Sequence, residues 1–200
     1  MKAVILAGGL GERLKPFTNI IPKPLLPFGE KSLLEIQIEY FASHGIKEIY
    51  IAINYRADMI RSFLGNGEKY GVRLYYSEED KPLGTCGPVG LLKDELTEPF
   101  FLMNGDILTK APLREIYDFA CRYHDSWLTI ITKIVTTPFR FGSIQSEGDY
   151  VTHVEEKPNL NFEILAGIYI LKPSIFQLIP ENTYFGIDQL IHTMLANNHP

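Results

Sequence analysis

Lys2-Ala-Val-Ile-Leu-Ala-Gly-Gly-Leu-Gly-Glu-Arg-Leu14, continued by Lys-Pro-Phe-Thr-Asn-Ile-Ile-Pro-Lys-Pro-Leu-Leu-Pro27, opens the chain. The apolar run from Ala3 to Ala7 reads as a strand buried on both faces. It breaks at Gly8-Gly9 and again at Gly11. Glycines at such a break let backbone N–H groups turn inward and approach an anion closely. Arg13 and, after a proline-punctuated loop, Lys23 add full positive charges, the first suited to bidentate phosphate contacts and the second a point charge. The physical reading is a phosphate-holding loop at the end of a strand. A Walker A loop is excluded, because Gly11 is followed by Glu12-Arg13 and not by Lys-Ser or Lys-Thr. The dinucleotide fingerprint fails as well: Leu14 stands where its third glycine belongs, and Pro16 argues against a long helix there.

Outward from this stretch, strand and helix patterns alternate. Ser32 to His44 predicts a helix, with Ser32 as N-cap, Glu35 three residues on as a capping box, and Gly45 as the stop. A strand over Glu48–Ile53, a short helix over Arg56–Leu64 and a strand over Val72–Ser77 follow. This order predicts a parallel sheet with crossover helices. A helix is expected from about Gly87 to Leu96, a buried strand over Phe100–Asn104, a helix over Pro112–His124 and a β-branched strand over Leu128–Thr136. From Phe141 the pattern becomes short strands with turns (Gly142–Gln145, Tyr150–Glu155, Ile164–Leu171), which predicts an antiparallel lobe. Helices are expected at Ser174–Leu178 and Ile187–Ala196. The fold class expected is α/β, a Rossmann-like, mostly parallel sheet flanked by helices with a smaller antiparallel lobe.

Composition narrows the function. The 200 residues are 46% hydrophobic and 22% charged, ordinary for a globular domain with a sizeable core. Net charge is −5, so no basic field favours nucleic acid or an anionic membrane, and an anionic ligand must be held by local charges. Cys86 and Cys121 form no CxxC, and the histidines have no ligand spacing, so neither a metal cage nor a disulfide framework is indicated. No apolar run is long enough to span a bilayer, and a strand pattern stands where a signal peptide would be. The expectation is a cytoplasmic protein. Asp106 ends the buried strand in Asn104-Gly105-Asp106. In a chain that already has a phosphate loop, it is the expected ligand of a hard divalent cation, which takes one or two carboxylates plus substrate phosphates.

Gly-Gly-x-Gly-x-Arg-Leu-x-Pro-x-Thr followed by Pro-Lys-Pro-Leu-x-Pro resembles the signature of the sugar-1-phosphate nucleotidyltransferases, and the resemblance covers nearly the whole chain as one domain, residues 1–200. It implies that Leu6, Ala7, Gly8, Gly9, Gly11, Arg13 and Lys23 wrap a nucleotide triphosphate. Glu12 departs from the family's Thr or Ser, and a carboxylate beside a triphosphate must point away or help hold a cation. Leu83-Gly-Thr-Cys-Gly87 is similar to the family's base-recognition stretch, which implies that Glu79 and Gly84 meet the base edge, with Thr85 lining the loop. Phe141-Gly142, Glu156-Lys157-Pro158 and Ala166-Gly167-Ile168-Tyr169 match the family's sugar-phosphate motifs in order. Asn104, Gly142, Glu156, Lys157 and Gly167 are then the implied sugar-phosphate set, with Leu165 standing where Asn is common.

The activity implied is transfer of a nucleotidyl group from an NTP to a sugar 1-phosphate, with Arg13, Lys23, Asp106 and Lys157 catalytic and Mg²⁺ held by Asp106. The motifs look most like mannose-1-phosphate guanylyltransferases, which implies GTP and a mannose- or heptose-like 1-phosphate. Two other classes stay open: a non-catalytic sugar-nucleotide-binding regulatory subunit, and a metal-dependent glycosyltransferase, which would not need the glycine loop. The family's Trp-x-Asp-Ile-Gly-like segment, carrying a second metal carboxylate, has no match before Pro200, and the expectation is a chain shortened at its C-terminus. Oligomeric state is not legible, since an apolar helix face serves core and interface alike.

Overall fold

The computed structural model describes residues 1–199. In chain order the elements are β1 (Lys2–Leu6), the short pair β2 (Pro27–Phe28) and β3 (Lys31–Ser32), α1 (Leu33–Ser43), β4 (Glu48–Ile53), α2 (Ala57–Leu64) and β5 (Arg73–Glu78). Then come α3 (Gly87–Gly90), β6 (Phe100–Asn104), α4 (Leu113–Arg122), β7 (Leu128–Pro138), β8 (Ser143–Glu147), β9 (Tyr150–Glu155), β10 (Asn159–Leu171) and α5 (Ile187–Ala196). The chain divides into two compact units, residues 1–130 with 167–200, and residues 131–166.

The first unit is built on the sheet of order β5-β4-β1-β6-β10-β7, holding of its last two strands only residues 167–171 of β10 and 128–130 of β7. β1 runs parallel to β4 on one side and β6 on the other, β5 is parallel to β4, and β10 is antiparallel to β6. The parallel strands are unbroken apolar runs because both faces are covered: Ala3, Val4, Ile5, Phe100, Phe101 and Leu102 are all fully buried. Successive side chains point to opposite faces. Phe101 meets Phe41 of α1 and Tyr117 of α4, with ring centroids 5.9 Å apart in each case. Val4, Phe100 and Leu102 join a cluster with Cys86 and Val89 from the α3 segment and Leu190 and Met194 from α5.

The predicted capping box of α1 is present. Ser32 Oγ accepts from the Glu35 N–H at 3.3 Å, and Glu35 Oε2 accepts from the Ser32 N–H at 2.9 Å. Burial pushes the Glu35 carboxyl up, but the Ser32 N–H, the Tyr70 and Ser32 hydroxyls and the Lys69 ammonium together bring it below its ordinary value. The helix expected from Gly87 to Leu96 is cut to Gly87–Gly90, followed by turns in which Leu92 N–H bonds Val89 O and Leu96 N–H bonds Leu92 O, both at 3.0 Å. Gly87, Pro88 and Gly90 are poor helix formers, and the buried Leu92 and Leu96 fix the path that follows. The expected helix at Ser174–Leu178 is a 3₁₀ segment, Pro173–Gln177. β10 starts at Asn159 where the sequence pattern starts it at Ile164.

In the second unit β8 and β9 form an antiparallel hairpin with a bulge between Gln145 and Ser146. Thr132 Oγ1 donates to Glu163 Oε1, and Thr136 Oγ1 to Asn161 Oδ1, each at 2.6 Å. Its apolar side chains Ile144, Val151, Val154 and Phe162 are exposed.

Candidate active site at the carboxyl edge of the sheet

The chain steps outward from β1 to β4 and β5, then returns to lay β6 against the other side of β1. Ligands in open α/β sheets gather at the carboxyl ends of the strands where the order reverses in this way. Leu6 and Asn104, the last residues of β1 and β6, pair in register, so the glycine loop and the Asp106 turn leave the sheet side by side. Gly105 N–H donates to Leu6 O at 2.9 Å, and a Cβ on Gly105 would lie 2.5 Å from that oxygen, so only glycine fits. Between the two loops lies a cleft of about 580 Å³, lined by Leu6, Gly8, Gly9, Arg13, Lys23 and Asp106 among others. That volume is in the range of small-molecule sites.

The loop after β1 is shaped by what presses on it. A Cβ on Gly8 would stand 3.0 Å from Glu79 Oε1 and 3.2 Å from Asn54 Cβ. Gly11 takes φ +62°, and a Cβ there would be 2.8 Å from Thr18 Cγ2 and 3.0 Å from Lys23 Cβ. Thr18, fully buried, donates its hydroxyl to Gly11 O at 2.9 Å. The second half of the motif therefore folds back onto the first and carries Lys23 to it. Instead of a long helix, residues 12–14 make one 3₁₀ turn before Pro16. Arg13 is exposed on this turn and lines the cleft. Glu12 points away, 69% exposed and paired with Lys15 at 3.6 Å.

Glu79 is buried at the other end of the cleft. Its Oε2 accepts from the Leu83 N–H at 2.7 Å, and Asn54 Nδ2 donates to its backbone carbonyl at 3.0 Å. Burial raises its carboxyl above the ordinary value, and the Leu83 N–H offsets part of that. Gly84, at φ +82°, has room for no Cβ because Phe185 O would be 2.8 Å away. Thr85 lines the cleft, and its hydroxyl is engaged, accepting from the Ile187 N–H at 2.6 Å. Phe185 N–H donates to Leu83 O, and Cys86 N–H to Phe185 O, both at 2.9 Å. The segment before α5 thus clamps the 83–87 loop, and its Tyr184 faces the cleft with 63% of its surface exposed. Sequence reasoning missed Thr18, Asn54 and Tyr184. Thr18 carried a signal, being part of the quoted motif; Asn54 and Tyr184 reach the cleft only through tertiary packing.

Asp106 touches Lys23, with Nζ against Oδ2. Among the described residues no group of three or more His, Cys, Asp or Glu gathers that could cage a metal ion. A lone, 41% exposed carboxylate beside a cationic loop suits a hard cation that completes its shell with phosphate oxygens and water. The residues present fit such an ion in that form. Of the implied sugar-phosphate set, Asn104 and Gly167 come together in the first unit. Gly167 has φ +73°, and a Cβ there would lie 2.9 Å from Asn104 Nδ2. Gly142, Glu156 and Lys157 come together in the second unit: a Cβ on Gly142 would meet Glu156 Oε2 at 2.9 Å, and Glu156 pairs with Lys157 at 3.9 Å. Lys157 holds the left-handed region at φ +51°, a conformation that costs a non-glycine residue about 1–2 kcal/mol.

Residues 2–197 match the nucleotidyl transferase family. A mannose-1-phosphate guanyltransferase of Candida albicans is 39% identical, and one of Saccharomyces cerevisiae 38%, each match covering 90% of this chain. The chain spans about half the length of these curated relatives, 52% in both cases. The solved structure of HddC from Yersinia pseudotuberculosis in complex with GMP-PN superposes with a TM-score of 0.72 at 29% identity, covering 92% of this chain and 82% of that one. No helix among the described residues is long and apolar enough to cross a membrane.

Proposed function

From the premise that this chain belongs to the nucleotidyl transferase family, we propose that it transfers a nucleotidyl group from GTP to a mannose- or heptose-like sugar 1-phosphate, giving a GDP-sugar and pyrophosphate. The observation that carries the reading is the convergence of Arg13, Lys23 and Asp106 on one cleft beside the Gly8–Gly11 loop. Guanine is favoured by Glu79. A buried carboxylate only accepts hydrogen bonds, and guanine presents adjacent N1–H and N2–H₂ donors. Adenine presents an unprotonated N1 at that position and would be repelled. The relatives named for guanyl transfer, and the neighbour holding GMP-PN, point the same way.

The nucleophile is the sugar phosphate oxygen, already anionic, so no side chain need remove a proton. It bonds to the α-phosphorus while the bond from that phosphorus to the bridging oxygen breaks, and pyrophosphate leaves with the electron pair. The protein's task is positioning and charge stabilisation. Arg13 neutralises the β- and γ-phosphates. Lys23 moves from Asp106 to the α-phosphate region, freeing the carboxylate. Mg²⁺, when bound through Asp106, supplies further charge neutralisation across the reacting phosphates. Lys157 takes the incoming sugar phosphate, an assignment that rests on the resemblance alone.

The experiment is a panel of four NTPs against several sugar 1-phosphates, read by pyrophosphate release. GTP with a mannose- or heptose-type 1-phosphate is expected to lead. Nucleotide binding with no pyrophosphate from any pair would reject the enzyme reading in favour of a sugar-nucleotide-binding subunit, and, in a parallel assay that offers GDP-sugars as donors, release of the nucleoside diphosphate would mark a glycosyltransferase.

A further inference from the structure

Gln37 sits on α1, a helix that contributes nothing to the cleft lining, and its side chain is 97% buried by residue surface, with 3% exposed. Its Nε2 donates two hydrogen bonds, to Asn104 O at 2.9 Å and to Ile107 O at 2.7 Å. Those carbonyls bracket the turn that carries Asp106. The backbone ties of the turn are Gly105 N–H to Leu6 O at 2.9 Å and Ile107 N–H to Asn104 O at 3.2 Å, and Lys23 holds the Asp106 carboxylate itself, a contact given up when Lys23 moves to the nucleotide; Gln37 is the side chain bonded to both ends of the turn. We propose that Gln37 is a positioning residue for Asp106, fixing the turn so that the carboxylate meets the cation and phosphates at one place.

Two observations argue that the amide is there for geometry and not for stability alone. Gln37 Oε1 is buried and accepts no hydrogen bond among the described residues, a cost an apolar side chain would avoid. The turn also lacks full packing on its other side. A cavity of about 370 Å³ lies there, lined by Ile36, Gln37, Tyr40, Met103, Ile107 and Leu108. A turn flanked by open volume on both sides can shift by fractions of an ångström unless tethered. Partners that orient a cation's ligand typically alter cation affinity or activity about 10- to 100-fold when removed.

The inference rests on Asp106 being the cation ligand, so the test treats the two separately. Gln37→Met keeps the side-chain length and removes both donors. It is compared with Asp106→Asn in five measurements: Mn²⁺ affinity in the presence of a non-hydrolysable GTP analogue, read by electron paramagnetic resonance; GTP affinity in EDTA; hydrogen exchange at the Gly105 and Ile107 amides; steady-state turnover; and melting temperature. The expected result for Gln37→Met is a loss of Mn²⁺ affinity of about 10- to 100-fold, with faster exchange at those two amides. GTP affinity in EDTA should stay within about twofold, since the glycine loop is untouched. Turnover should fall in kcat with KM for GTP little changed. Unaltered Mn²⁺ affinity in Gln37→Met, with only the melting temperature lowered, overturns the proposal. Unaltered Mn²⁺ affinity in Asp106→Asn overturns the reading of Asp106 instead. Gln37→Asn, which draws the amide back by one methylene, carries the same expectations if the Met variant is too unstable to purify.

Discussion

Replacing Glu79 by Gln should separate stability from base recognition, because the two carboxylate oxygens have different employment. Oε2 is occupied by the Leu83 N–H at 2.7 Å, and the glutamine carbonyl can take its place. Oε1 lies near Gly8 at the cleft wall, and there the substitution puts an amide NH₂, a donor facing guanine's donors. A hydrogen bond to a charged group contributes about 1.5–3 kcal/mol. Its loss should weaken GTP binding about 10- to 150-fold, with inorganic tripolyphosphate binding unchanged. Stability should move the other way. Burial raises the Glu79 carboxyl above 4.5 in the folded protein, so at neutral pH the native state carries a buried charge that the unfolded chain exposes to water. That cost is fully present above the folded-state value and is relieved as pH falls through it towards 4.5. Glu79→Gln removes the cost, so its melting temperature should exceed the parent's at pH 7–8 and converge with it as the pH drops through the carboxyl's raised value. Isothermal calorimetry with GTP, ATP and tripolyphosphate, alongside thermal melts over pH 4–8, reads both effects. A variant with parental GTP affinity, or one equally weakened for tripolyphosphate, would refute the argument.

Arg13→Ala and Asp106→Ala should each lower turnover by roughly 10²–10³, the usual loss for one preorganised charge contact; near-parental rates in a pyrophosphate-release assay would reject the assigned role. Gly105→Ala places a methyl 2.5 Å from Leu6 O, and denaturant unfolding should show a loss of about 1–3 kcal/mol from the forced backbone shift. Thr18→Val strips the hydroxyl from Gly11 O and should cost about 1–3 kcal/mol for the carbonyl left unpaired, with weaker triphosphate binding in the same titration as the Glu79 variant. Burial pushes the Cys86 thiol up to about 12, so a thiol reagent at pH 8 should label Cys121 alone in the folded protein and both cysteines in denaturant.

Local chemistry in the sequence was enough to place most elements. Unbroken apolar runs at Ala3–Ala7 and Phe100–Met103, short and ended by glycine turns, read as strands covered on both faces, and Ser32 with Glu35 marks a helix start by satisfying two orphan N–H groups. That the glycine loop, Arg13 and Lys23 share one cleft was legible because all of them stand within one motif at the end of a strand. Where hydrophobic spacing was misleading, poor propensity and packing overruled it: Leu92 and Leu96 have helical spacing, yet Gly87, Pro88 and Gly90 are poor helix formers and the helix ends after one turn. What only the tertiary structure decided was which distant residues stand together. Nothing local to Gln37 marks it as the tether of a turn 67 positions away, and nothing in Thr183–Ile187 marks it as the clamp of the 83–87 loop. Periodicity reports the face a residue presents, whereas a hydrogen bond between distant elements depends on sheet order and register, which are set by the burial of the whole core.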